Sequence, residues 1–256
     1  MEIVWLGHEA CHTPGHVGGK AAHLSRLAAG YPVPPGFCLT AASDYEVLRQ
    51  PGAPAHSTLR DAYHQLGDRC GVVSPSVAVR SSAIDEDGSQ TSFAGLHDTL
   101  LNVVGHESVT EAILQCWGSV RSERALTYRQ QMGLATDDIK LAVLVQQLVP
   151  SDCSAVAFSG NPVTGARDEV VIEANWGLGE SIVSGLAAPD TFVVGKADGK
   201  MRQQVIGAKA RMTIPGGNGT REVDTPRAMR AKASLEPAQL TQILDLLREL
   251  EAEMGW

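Results

Sequence analysis

With 256 residues, of which 43% are hydrophobic and 20% charged, the chain has the length for one large domain or two lobes. A formal net charge of −8 without any Lys/Arg cluster argues against a nucleic-acid partner, so an anionic ligand would be held by a few local cations and backbone amides. The longest apolar stretches, such as 141–149, fall far short of the roughly 20 residues a membrane span needs, and Met1 is not followed by a basic and then apolar leader. Five scattered cysteines (Cys11, Cys38, Cys70, Cys116, Cys153) form no CxxC pair, so neither a disulfide framework nor a structural zinc is expected and a reducing cytoplasm fits best.

Val17, Ala21, Leu24 and Leu27 recur at helical spacing up to Gly30 and the proline-rich YPVPPGF, which predicts a helix and then a turn. A second helical segment is predicted after Thr40 and a third over 58–66, with PGAPAHS as the loop between them. VAVRSS predicts a short strand from Val77, and SAIDEDGSQTSFAG a long exposed loop of the kind that often carries function. The spacing of Val109, Ile113, Trp117, Val120 and Leu126 predicts one long amphipathic helix over 107–131, stopped near Gly133. KLAVLVQQLVP reads as a buried strand ended by Pro150, SAVAFSG as its antiparallel partner, EVVIEA as a further strand, and Asp198-Gly199 as a hairpin turn. A closing helix over 235–254, capped by Ser234 with Pro237 near its start, presents Leu240, Ile243, Leu247 and Leu250 on one face. Helices first, strands next and a helix last argue for an α+β fold. The expected organisation is two lobes, 1–135 with the glycine-lysine turn and 136–256 with the strands and the closing helix.

Four segments carry candidate chemistry. In HVGGKAAHLSRL, paired glycines before a helix uncover backbone N–H groups, and Lys20 adds a mobile cation at the positive end of the helix dipole, a combination suited to phosphate. The same letters fit a plain turn with a solvated lysine, and they do not form a Walker A loop. Arg80 ends a short apolar strand and leads into a loop of hydroxyls and glycines, which could form an anion nest; alternatively it pairs with Asp85 or Glu86, and Asp85, Glu86 and Asp87 read as a solvated acidic turn. Gln146 and Gln147 face opposite ways on one strand, so one amide turns inward and needs a partner, which an adenine edge or nearby backbone would supply. Glu173, read at a strand end, fits a carboxylate on the metal side of a cofactor or one step behind it; like Glu180 and Asp190 it is equally readable as a loop cap or ion-pair partner, and no metal is assigned from these three. The eight histidines, four of them before residue 24, are read as showing no HxxxH or HExxH pattern, so no zinc site is expected.

Taken in order, GGKAAHLSRL, VPPGFCLT, VAVRSSAIDEDGSQTSFAGLHDTLLNV, CWGSVRSERALTYR, VQQLVPSDCSAVAFSGNPVTG and EANWGLGESIVSGLAAPDTFVV resemble a known nucleotide-binding region. It is the N-terminal region shared by phosphoenolpyruvate synthase, pyruvate phosphate dikinase and rifampicin phosphotransferase, a two-lobed variant of the ATP-grasp fold with mainly antiparallel sheets. The resemblance covers nearly the whole chain. It implies that ATP with Mg2+ lies between two lobes, with Lys20 and Arg80 on the phosphates. The loop holding Ser92 and Gly95 and running to Thr99 would cover those phosphates, and Gln146, Gln147 and Val149 would line the adenine edge. The implied chemistry cleaves ATP to AMP and passes the β-phosphate to a histidine on a separate swivelling domain, from which it reaches a small-molecule acceptor held on a further domain.

The interval from Lys20 to Arg80 is shorter than the resemblance leads one to expect. Family members also continue after the equivalent of EAEMGW into segments resembling DIEWA and LQxRP, whose Glu, Gln and Arg bind magnesium and phosphates. The metal ligands are therefore expected beyond Trp256, and the chain alone is expected to be catalytically incomplete. Two other readings stay open: a nucleotide-sensing module that kept the fold and lost the chemistry, and an ATP-grasp carboxylate ligase that forms ADP.

Overall fold

The computed structural model describes residues 1–84, 99–134, 136 and 139–255. The chain divides into two compact units, Met1–Val149 with Gly217–Gly219, and Pro150–Gly216 with Thr220–Trp256.

The first unit is built on an antiparallel sheet of five strands, β1 (Ile3–Trp5), β2 (Gly36–Leu39), β3 (Val77–Ala83), β4 (Thr99–Val103) and β5 (Leu141–Gln147), in the order β1-β2-β5-β3-β4. Helices cover both faces. On one, α1 (Pro14–Leu27) packs Val17, Ala21 and Ala22 against Cys38, Ala142 and Leu144. On the other, α2 (Pro54–Cys70) and α3 (His106–Ser119) bring Leu59, Tyr63 and Ile113 onto Phe37, Leu39, Val79, Val143 and Val145. With both faces covered, β5 must be apolar at every position from Leu141 to Val145, which is why it reads as a continuous hydrophobic run without alternation. Strand β4 carries one extra residue opposite β3 between Leu100 and Val103, and Asn102 takes φ 55 at this bulge. The side-chain amide of Asn102 donates to the carbonyls of Gly217 (3.2 Å) and Gly219 (2.7 Å).

The second unit is an antiparallel meander, β6 (Cys153–Phe158), β7 (Glu169–Trp176), β8 (Asp190–Gly195) and β9 (Met201–Val205), with a separate hairpin of β10 (Arg211–Pro215) and β11 (Thr220–Asp224). Its core is Val170, Ile172, Ala174, Phe192 and Val194 against Leu235, Leu240 and Leu244, the last two on the closing helix. Among the described residues no helix is long and apolar enough to cross a membrane, and all five cysteines are free.

The α+β class with antiparallel sheets is the one expected from sequence. Several finer expectations are corrected. Strand β5, assigned above to the second lobe, is the middle strand of the first unit, because it is the strand that pairs with both β2 and β3. Its expected partner SAVAFSG pairs with β7 instead. The single helix over 107–131 is α3 followed by α4 (Glu123–Gln131), interrupted where Ser122 turns extended (ψ 150) and its hydroxyl caps Ala125 N–H at 3.3 Å. The segment after Thr40 is a short 3-10 turn, Tyr45–Arg49, and the third helix is longer than 58–66.

Two short helices, α5 (Glu180–Val183) and α6 (Arg227–Arg230), precede the closing helix α7 (Pro237–Met254). The cap of α7 is Glu236, in a reciprocal capping box with Gln239, while Ser234 bonds to Asp190. Glu236→Ala should therefore lower stability by about 1 kcal/mol, read as a shift in the urea midpoint, whereas a change below a few tenths would show the box to be idle.

Candidate functional site

The centre of the candidate site is the crossing of α1 over β3. Gly18 interrupts α1 with φ 75 and ψ 163, a region open essentially to glycine alone. A Cβ at Gly18 would lie 2.2 Å from the backbone oxygen of Ser82 and 2.3 Å from its Oγ, so helix and strand touch backbone to backbone here. Past Gly18 the helix restarts at Gly19 and Lys20, and the Oγ of Ser82 accepts the N–H of Ala21 at 3.2 Å. Glycine has no side chain with which to cap this restarted helix, and Ser82 supplies the missing acceptor from the strand. Lys20 follows directly and is half-buried.

Strand alternation fixes what else shares this face. Ser82 lies opposite Ala142, Arg80 opposite Leu144 and Ala78 opposite Gln146, and Ala142 and Leu144 belong to the core under α1. Arg80, Ser82 and Gln146 therefore lie on the α1 side of the sheet. Thr99, the exposed first residue of β4, stands directly opposite Arg80 and so lies on the same face. Arg80 is half-buried and, contrary to expectation, does not end its strand, since β3 runs on to Ala83; no ion pair among the described residues includes it.

Of the residues expected on the adenine side, Gln146 is 7% exposed and its Nε2 donates to Pro34 O at 3.0 Å, so nearby backbone already engages the amide. Gln147 turns to the opposite face, as adjacent strand positions must, and its N–H donates to Pro35 O at 2.9 Å. Val149 is 53% exposed at the end of the first unit. Ser92 and Gly95 lie outside the described residues, as do Asp85, Glu86 and Asp87.

Glu173 belongs to the second unit and is not at a strand end, since β7 runs on to Trp176; it sits mid-strand between Val156 and Thr191. Glu180 accepts the Thr220 hydroxyl at 2.9 Å, and Asp190 is a fully buried ion-pair partner of Lys209, so both have structural tasks. The histidine reading needs a correction too. His8-Glu9-Ala10-Cys11-His12 does have HExxH spacing, but the segment is a 3-10 turn, Glu9–His12, with His8 outside it at ψ 141 and its Nδ1 accepting Ala10 N–H. The HExxH zinc motif relies on one face of an α-helix presenting both histidines, and this segment is not an α-helix. No group of three or more His, Cys, Asp or Glu among the described residues could hold a metal ion.

Sequence reasoning singled out Lys20, Arg80, Thr99 and Gln146, which share this side of the sheet, but missed Ser82 and the intimacy of Gly18 with it. Alternation from Arg80 places Ser82 on the same face; no pattern in the sequence names Gly18 as its partner.

Comparison with known proteins agrees with this architecture. Residues 53–256 match the pyruvate phosphate dikinase AMP/ATP-binding domain, so the class is an ATP-binding domain. The chain belongs to that family, the one found in enzymes of the phosphoenolpyruvate synthase type. It is 37% identical to the prodigiosin synthesizing transferase PigC of Serratia marcescens, over 99% of this chain and 30% of that protein. It is 39% identical to the phosphoenolpyruvate synthase of Aeropyrum pernix, over 77% of this chain and 29% of that protein. With the phosphoenolpyruvate synthase of Pyrococcus furiosus it shares 32% identity over 99% of this chain and 40% of that protein. The chain thus spans well under half the length of these relatives.

Proposed function

We propose that this chain is the nucleotide-binding part of a dikinase-type phosphotransferase that cleaves ATP to AMP. The β-phosphate would pass through a histidine on a separate domain to a small-molecule acceptor. Lys20 and Arg80 bind the phosphates, Thr99 lies beside them, and Gln146 with the backbone up to Val149 faces the base. Mg2+ arrives with the nucleotide as its counter-ion; no group of three or more His, Cys, Asp or Glu among the described residues is placed to hold it.

The observation that carries the reading is the seating of Gly18 on Ser82, which sets the restarted helix and Lys20 on the sheet face that bears Arg80. Two cations and the backbone amides at a helix start are what a polyphosphate needs for charge neutralisation and in-line positioning. The order along the face, from the glycine turn through Arg80 to Gln146, matches the order from phosphates to base.

Calorimetry on the chain should show ATP affinity falling about 10- to 150-fold for Lys20→Ala and for Arg80→Ala, the loss of a charge-assisted partner worth roughly 1.5–3 kcal/mol. Unchanged affinity in both variants would remove these residues from the site. The longest natural protein containing the chain, given ATP, Mg2+ and candidate acceptors, should release AMP; ADP as the sole nucleotide product would overturn the dikinase chemistry in favour of a carboxylate ligase.

A further inference from the structure

We propose that Ser82 is a positioning residue for nucleotide phosphates, acting through Lys20 and the amides beside it and not by touching the ligand; the inference rests on the reading just given. Ser82 is fully buried and lies two residues from Arg80 on the same strand and face. Its Oγ accepts the N–H of Ala21, and its backbone oxygen lies where a Cβ on Gly18 would fall. One residue therefore fixes both the place and the direction of the helix restart relative to the strand that carries the arginine. A helix start aimed by a cap contributed from another strand is rigid where a glycine pair alone would leave it loose. Phosphate binding depends on such aim, because the gain from a charged group falls off when donor and acceptor are misplaced by even about 1 Å.

The test compares Ser82→Ala and Ser82→Cys with Ser82→Thr in the 256-residue chain, using ATP, inorganic tripolyphosphate and adenosine as probes. Cysteine fills the serine's space but is a weak acceptor, whereas threonine keeps the hydroxyl. Ala and Cys variants that melt as cooperatively as the unaltered chain should bind ATP and tripolyphosphate about tenfold more weakly, the size of one lost hydrogen bond, with adenosine unaffected and threonine restoring phosphate affinity. An equal loss for adenosine and ATP would mean general loosening and would overturn the proposal. So would ATP affinity within twofold of the original in both Ala and Cys variants while Lys20→Ala still weakens binding. If the unaltered chain bound neither ATP nor tripolyphosphate, the functional reading beneath the inference would itself fall.

Discussion

Replacing Lys209 by methionine should destabilise the second unit by about 3–5 kcal/mol, the usual cost of breaking a buried ion pair from one side. Lys209 and Asp190 are both 0% exposed, and their side chains meet in an ion pair. Asp190 also accepts the N–H and the hydroxyl of Ser234, each at 2.7 Å, and the N–H of Gly207 at 2.9 Å. One carboxylate thus joins the start of β8, the segment 207–209 and the residues before α7. Removing the ammonium leaves a negative charge with no cation in a place water does not reach. Urea unfolding followed by hydrogen exchange at the Ser234 amide measures the effect. Adding Asp190→Asn to the same chain should recover part of the loss, since a neutral amide oxygen still accepts without stranding a charge. A Lys209→Met variant within 1 kcal/mol of the original would show that the pair is dispensable.

Gly18→Ala should be nearly as severe and should strike both folding and ligand binding. The new methyl meets the Ser82 backbone oxygen at 2.2 Å, and the backbone at φ 75, ψ 163 is strained for any residue with a Cβ. Strain and overpacking of this kind cost about 1–3 kcal/mol each. To relieve them α1 must lift from β3, which carries Lys20 away from Arg80. A thermal melt paired with ATP titration separates the two consequences. The expected signature is ATP affinity lost in the fraction that still folds; full affinity in a stable Gly18→Ala protein would contradict the role of the close crossing of α1 over β3.

Local signals made part of this fold readable in advance. The period of α7, the Asp198-Gly199 hairpin and the apolar run of β5 are set by burial and turn chemistry close in sequence, so each could be predicted. Pairing could not. β5 and β6 are neighbours in the chain, yet they belong to different units, because β5 satisfies its edges with β2 and β3, which lie far earlier. Short strands such as β1 and β2 carry too few residues to show a pattern, and β10 and β11 are polar enough to read as loop. The same contrast holds at the candidate site. Lys20 and Arg80 stand out because charge beside glycine, or inside an otherwise apolar strand run, is unusual. Ser82 and the Lys209–Asp190 pair depend on residues 61 and 19 positions apart meeting in space, which no local window contains.

The order of strands in the first unit also bears on how the molecule is made. β1 pairs with β2, and β3 with β4, but these two ribbons meet only through β5, the last of the five to be synthesised. Two-stranded ribbons are marginal in water. A nascent chain must therefore carry two incomplete ladders with open edges until residue 147 leaves the ribosome, and chaperone demand should peak over that interval, when sticky edges face the crowded cell before their shared neighbour arrives.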